Sequence, residues 1–187
     1  MIVLILPDFQ AEDRLLARAR AGDNAAISQI YDDYFPPVYQ YIRLRAGDAG
    51  LAEDLAAEVF VRLVQALRGG NPPRRSLRGW LFQVARNLIY DHRGQADRLP
   101  QATLDDWIPA AAEYEPETQV MRAYTVDRLR QALVALPADQ QEVIILRFGQ
   151  MLSLQETADI MGKSVSAVKA LQFRAVQALR SLLEPTT

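Results

Sequence analysis

The sequence predicts an all-α protein: two helical domains joined by a flexible acidic linker, the second a helix-turn-helix of winged-helix-like type. Three observations carry this expectation. Apolar residues recur at helical spacing along most of the chain. Residues 95–119 break the pattern with Pro100, Pro109 and Pro116 and hold six acids against one arginine. Residues 153–179 then spell out a helix, a tight turn and a second helix.

Residues 12–20 form a turn or two of amphipathic helix, and Gly22-Asp23-Asn24 restarts the chain. Residues 24–45 place Ile27, Ile30, Tyr31, Tyr34, Val38, Tyr41 and Ile42 on one helical stripe. Pro36-Pro37 is expected to kink or interrupt it, because proline lacks the N–H that bonds one turn back. Residues 51–68 are the cleanest helix, with Leu51, Leu55, Val59, Leu63 and Leu67 four apart, and Gly69-Gly70-Asn71-Pro72-Pro73 ends it. Ser76 opens the next helix, which runs through Trp80, Leu81, Val84, Leu88 and Ile89 to about His92. Trp80 and Leu81 are expected in the core. Helix resumes over about 120–135, and Pro137 begins another that reaches about Phe148. Domains are therefore expected at 1–94 and 120–187, with 95–119 between them.

The final motif is the most specific. Ser153 and Glu156 have the spacing of a capping box. Gly162 supplies the positive φ that stops the first helix, and Ser164 caps the second. Ala158 lets the helices cross closely, and Val168 plugs the second onto the first. The outward stripe is then Ser166, Lys169, Ala170, Phe173 and Arg174. Such a helix enters a DNA major groove. Lys169 and Arg174 suit phosphate or guanine, and Phe173 suits a thymine methyl.

Composition narrows the classes. Cysteine is absent and His92 is the one histidine, so no thiolate metal site, disulfide or catalytic triad is expected, nor any cofactor. The longest apolar run, Met1 to Leu6, is too short to span a bilayer and lacks a signal peptide's flanks, which points to a soluble, cytoplasmic protein without membrane insertion. Net charge is −2, but it is unevenly placed. Residues 74–98 hold six basic and two acidic groups, and residues 143–187 hold five and three. Between them, residues 99–142 hold three basic and eight acidic groups. In the first basic segment Arg74, Arg75, Arg78, Arg86 and Arg93 interleave with Trp80, Phe82, Asn87 and Tyr90. Guanidinium groups beside rings suit single-stranded nucleic acid.

Three stretches in order carry a resemblance: Asp-Leu-Ala-Ala-Glu-Val-Phe-Val-Arg-Leu (54–63), Leu-Arg-Gly-Trp-Leu-Phe-Gln-Val-Ala-Arg-Asn-Leu-Ile-Tyr-Asp-His-Arg (77–93) and the terminal two-helix motif. Together they resemble a bacterial RNA polymerase sigma factor of the extracytoplasmic-function subfamily. The resemblance implies that the chain directs core polymerase to promoters and helps melt them, catalysis belonging to the polymerase. It implies that the 51–68 helix docks on the largest-subunit clamp through Glu53, Asp54, Ala57, Glu58 and Arg62, and that the polymerase flap is a further contact. Arg74, Arg75, Arg78, Arg86, Asn87, Tyr90 and Arg93 would hold the separated −10 strand, with Asn87 at a flipped base. The terminal stripe would read the −35 duplex, and an anti-sigma factor would restrain the whole. Ala57 and Val64 stand where many members carry glutamine and tryptophan. The alternative reading is a stand-alone helix-turn-helix regulator that binds duplex DNA without polymerase.

Overall fold

The computed structural model describes residues 9–46, 48–70, 72–73, 76–93, 128–129 and 131–183, omitting the side chains of 9–11 and 93. Expectations for Met1 to Leu6, Arg74, Arg75, the Arg93 side chain and the 95–119 linker lie outside the described residues.

Four helices make the first half: α1 (Phe9–Arg20), α2 (Asn24–Ala46), α3 (Ala49–Arg68) and α4 (Leu77–Arg93). The second half has a helical stretch at 131–135, α5 (Ala138–Ile144), a π-helical turn over Ile145–Gly149, α6 (Leu154–Met161) and α7 (Val165–Leu183). No strand occurs among the described residues.

Each start and stop has a local cause. Asp23 accepts from the amides of Ala25 and Ala26 at the head of α2. Asp48 does the same for α3, accepting from the Leu51 amide at 2.7 Å. Gly70, at φ 74°, supplies the left-handed residue beyond α3. The core of the first half is the stripe facing α2, α3 and α4: Ile30, Tyr34, Val38, Tyr41, Ile42, Val59, Leu63, Leu77, Leu81 and Phe82. Each such side chain removed from water contributes roughly 1.5–3 kcal/mol before entropy is counted. Leu81 is fully buried, whereas Trp80 is only half-buried against the cluster edge.

Pro36 and Pro37 do not interrupt α2, which is continuous from Asn24 to Ala46. The carbonyls deprived of donors one turn back belong to Asp32 and Asp33, both exposed residues within reach of solvent, and Pro37 is buried in the core. A second departure concerns the helix after Pro137. Its α-helical part ends at Ile144, and the chain widens into the π turn, in which the Gln150 amide bonds to the Ile145 carbonyl at 2.9 Å. Gln141, fully buried, ties α5 to the preceding stretch by donating to the Leu133 and Val134 carbonyls.

The two halves share one apolar cluster, with Leu136, Val143, Leu146, Leu152, Ile160 and Val168 continuing the core of α2 to α4. The most extensive contact between them is α6 against α4. A Cβ at Gly79 would meet Glu156 Cγ of α6 at 3.7 Å, an ordinary contact, and Ser76 Cβ at the head of α4 more tightly, at 3.3 Å. No described helix is long and apolar enough to cross a membrane.

Candidate nucleic-acid interface

The helix expected to hold a single strand, α4, is fixed at its start by three side chains. Ser76 is its N-cap, accepting from the Gly79 amide at 3.0 Å. Glu12 of α1 accepts from the Leu77 amide at 2.6 Å and from the Tyr34 hydroxyl at 2.9 Å. Ser76 in turn donates to Glu156 of α6 at 2.8 Å. Orphan amides and the positive end of the helix dipole are thus met by two carboxylates, Glu12 from the first half and Glu156 from the second.

Along α4 the expected site residues divide into two groups. Asn87 is exposed, and Tyr90 is half-buried one turn away. Arg78 and Arg86 instead face acids of the second half. Arg78 makes a bidentate pair with Glu156, Nε to Oε1 at 2.9 Å and Nη2 to Oε2 at 3.1 Å, both side chains 9% exposed. Arg86 donates from Nε to Glu142 Oε1 at 3.0 Å, lies 4.4 Å over the Tyr90 ring and reaches its hydroxyl. The Tyr41 hydroxyl completes the second cluster, donating to Glu142 at 3.0 Å.

The electrostatics follow from these contacts. Burial pushes the Glu156 carboxyl up, but hydrogen bonds from Arg78, from the Ser153 amide and hydroxyl, and from Ser76 outweigh it, so its pKa falls below the ordinary carboxylate value. For Arg86, burial weakens the charged form and the Glu142 carboxylate more than restores it, leaving the guanidinium more basic than usual. Tyr41 is pushed well above its ordinary range, by burial first and then by the Glu142 charge beside it.

The terminal motif has the geometry its residues predict. Ser153 and Glu156 form both bonds of the capping box, at 3.2 and 2.8 Å. Gly162 sits at φ 63°, and Ser164 accepts from the Ala167 amide at 3.2 Å. Val168, Leu171 and Ala175 are buried on the packing side of α7. Ser166, Lys169, Ala170, Phe173 and Arg174 are all exposed, Phe173 at 66%. Two further ties hold this unit to the preceding helix. Arg147 donates to Gln172 at 3.1 Å and to the Leu152 carbonyl, and Lys163 pairs with Asp139 at 3.0 Å. Phe148 within the π turn and Met151 just beyond it are exposed, Met151 at φ 53°.

On α3, Glu53, Asp54 and Ala57 are exposed, while Glu58 and Arg62 pair with each other at 2.9 Å one turn apart. Val61, 48% exposed, lies on the same outer surface. Among the described residues no group of three or more histidines, cysteines or acids is placed to hold a metal ion. Sequence reasoning missed Glu12 and Glu142 and saw Glu156 only as a cap. Glu142 had a readable signal: it sits three and four residues before Ile145 and Leu146, an acid on an apolar stripe.

Comparison with known proteins agrees with this layout. The family model for Sigma-70 region 2 matches residues 30–99, and that for Sigma-70, region 4 matches residues 132–181. The chain is 38% identical over 170 residues to the ECF RNA polymerase sigma factor BldN of Streptomyces coelicolor, a match covering 90% of this chain and 64% of that protein. It is 35% identical over 176 residues to the ECF RNA polymerase sigma factor SigD of Mycobacterium tuberculosis, covering 90% of this chain and 82% of the relative. The fold superposes on CnrH, solved in complex with the cytosolic domain of CnrY, with a TM-score of 0.64 and 25% identity over 92% of this chain and 97% of the other. The chain belongs to the ECF RNA polymerase sigma factors.

Proposed function

We propose that this protein directs core RNA polymerase to a set of promoters and assists their melting, while the polymerase performs all catalysis. The observation that supports the reading is that two separate exposed faces fall one in each of the two family matches. One is the Asn87 and Tyr90 face of α4, within the region 2 match. The other is the exposed stripe Ser166, Lys169, Ala170, Phe173 and Arg174, within the region 4 match. Residues 1–94 act as the front module, 95–119 connect, and 120–187 act as the rear module.

In this reading the outer face of α3, with Glu53, Asp54, Ala57, Glu58 and Arg62, docks on the polymerase clamp, and the rear module also meets the flap. Asn87 hydrogen-bonds the edge of a base turned out of the −10 strand, whose unstacking costs a few kcal/mol that a fitted pocket returns. Arg74, Arg75, Arg78, Arg86 and Arg93 serve the strand's phosphates. The α7 stripe enters the −35 major groove. The protein works in the cytoplasm and is restrained by an anti-sigma partner, in line with the CnrH complex with the cytosolic domain of CnrY.

Run-off transcription with purified core polymerase, from the promoter just upstream of its own gene, tests the reading. The expected result is a discrete start site that requires this chain. Substituting Asn87→Ala lowers open-complex formation more than polymerase recruitment. Tight, specific duplex binding by the free chain, with no transcription dependent on core, would instead establish the stand-alone regulator.

A further inference from the structure

Arg147 stands where the π turn, α6 and α7 come together, and the proposed function gives it no role. Its half-buried side chain reaches in two directions. Nε donates to Gln172 Oε1, in the middle of α7, at 3.1 Å. Nη1 donates to the carbonyl of Leu152, the residue before the Ser153 N-cap of α6. One planar guanidinium therefore ties together the two helices of the duplex-reading motif.

The Leu152 end of this strut follows a strained bend. Met151 is alone among the described residues in holding a positive φ, 53°, without being glycine. A side chain disfavours that region, and a backbone stays there when its surroundings fix it. Both polar groups of the next residue are fixed from the π turn. The Leu152 amide donates to the Leu146 carbonyl at 3.0 Å, and the Leu152 carbonyl accepts from Arg147. The Leu152 side chain is fully buried below them.

The Gln172 end bears on the reading stripe. Gln172 lies one turn beyond Lys169 on the same flank of α7 and directly precedes Phe173. It is half-buried while both of those are exposed, so it marks the border between the packed and outward faces. The packed face rests on Val168, Leu171 and Ala175. Apolar contact resists separation but is non-directional. A hydrogen bond from a rigid fork onto the border residue adds direction, and so sets how far α7 is rolled about its own axis.

We propose that Arg147 is a positioning residue for −35 recognition: by holding Gln172 and the Leu152 carbonyl together, it fixes the aim of the Lys169, Phe173 and Arg174 face relative to α6. This role rests on the duplex-reading function given to α7 above. Arg147 acts from behind the reading helix, through Gln172, and not on DNA. A lysine there keeps the charge but has no fork to reach both acceptors.

The test reconstitutes holoenzyme from the full-length chain and core polymerase. Binding is compared on promoter templates with intact and scrambled −35 elements, and the ratio of the two affinities is read beside the urea unfolding midpoint of each chain. Q172A is expected to lower the ratio about five- to tenfold, within the worth of one good base contact, and R147A at least as much. Q172A removes a bond that R147A also removes, so the double variant should lose no more than R147A. The scrambled template should bind all variants alike, the salt dependence should stay unchanged, and R147K should fail to restore the ratio. A direct phosphate contact predicts the opposite pattern: Q172A neutral, R147K restoring binding, and a salt slope lower by about one in R147A. That pattern overturns the positioning role, as do additive losses in the double variant. A lowered midpoint with an unchanged ratio also overturns it, since packing alone would then explain the contact. Should R147A fail to fold, Q172A decides, alanine being a strong helix former, and an unchanged ratio in that variant overturns the role. Equal binding of both templates by the wild type refutes the −35 reading itself and the positioning role with it. A wild-type preference that both variants keep removes the positioning role alone.

Discussion

Removing the Phe173 ring tests whether the exposed face of α7 is a reading face. The ring is 66% exposed, so about a third of its surface is buried in the folded chain. Full burial of a phenylalanine is worth roughly 1.5–3 kcal/mol, so Phe173→Ala should cost the fold less than about 1 kcal/mol. The remaining two thirds become available on docking to a groove, worth about 1–2 kcal/mol, or roughly a 5- to 30-fold loss of affinity. The assay pairs urea unfolding of the variant with promoter binding by reconstituted holoenzyme, using templates with intact and scrambled −35 elements. The intact template should lose the stated factor and the scrambled one almost nothing. A loss of 2 kcal/mol or more in stability would make Phe173 a packing residue. Unchanged binding with unchanged stability would mean that this face does not contact DNA.

Three further outcomes follow from named contacts. Lys169→Ala should leave the unfolding midpoint within about 0.5 kcal/mol and reduce the salt dependence of holoenzyme–promoter binding by about one phosphate contact. Gly162→Ala puts a Cβ into open space but at φ 63°, so its cost is backbone strain alone, about 1–2 kcal/mol by thermal melting, with asparagine milder. Glu156 has a folded-state pKa below the ordinary glutamate value of 4.5, so its stabilising charge is fully present above that value. The contribution should drain away as pH falls below about 4.5 through the lower folded value, visible as a wild-type melting temperature that drops more steeply than that of E156Q.

What the sequence made legible is what local chemistry decides. Apolar spacing placed α3 and α4 within a residue or two, and the capping box, the glycine turn and the Val168 plug of the terminal motif were all readable because each is decided within one short stretch of chain. The continuity of α2 was not readable. Proline's local penalty is plain in sequence, but its relief depends on which carbonyls face water in the folded chain. The partners of Arg78 and Arg86 were hidden for a stronger reason. They lie 78 and 56 residues away, and an arginine in a basic, aromatic-rich segment looks the same whether it awaits a phosphate or already holds a carboxylate.

The π turn at Ile145–Gly149 has a consequence for how this rear module tolerates insertions and deletions. Such a turn accommodates one residue more than the α-helical repeat allows. Deleting a residue there would remove the extra residue that the wide turn absorbs, so ordinary winding resumes with the flanking segments close to their present orientation. A deletion within the regular winding of α5 has no such outlet and would turn everything beyond it by about 100° about the helix axis. Arg147 would then no longer lie opposite Gln172 and the Leu152 carbonyl. A single lost codon is therefore absorbed at the π turn and re-aims the whole terminal motif just before it.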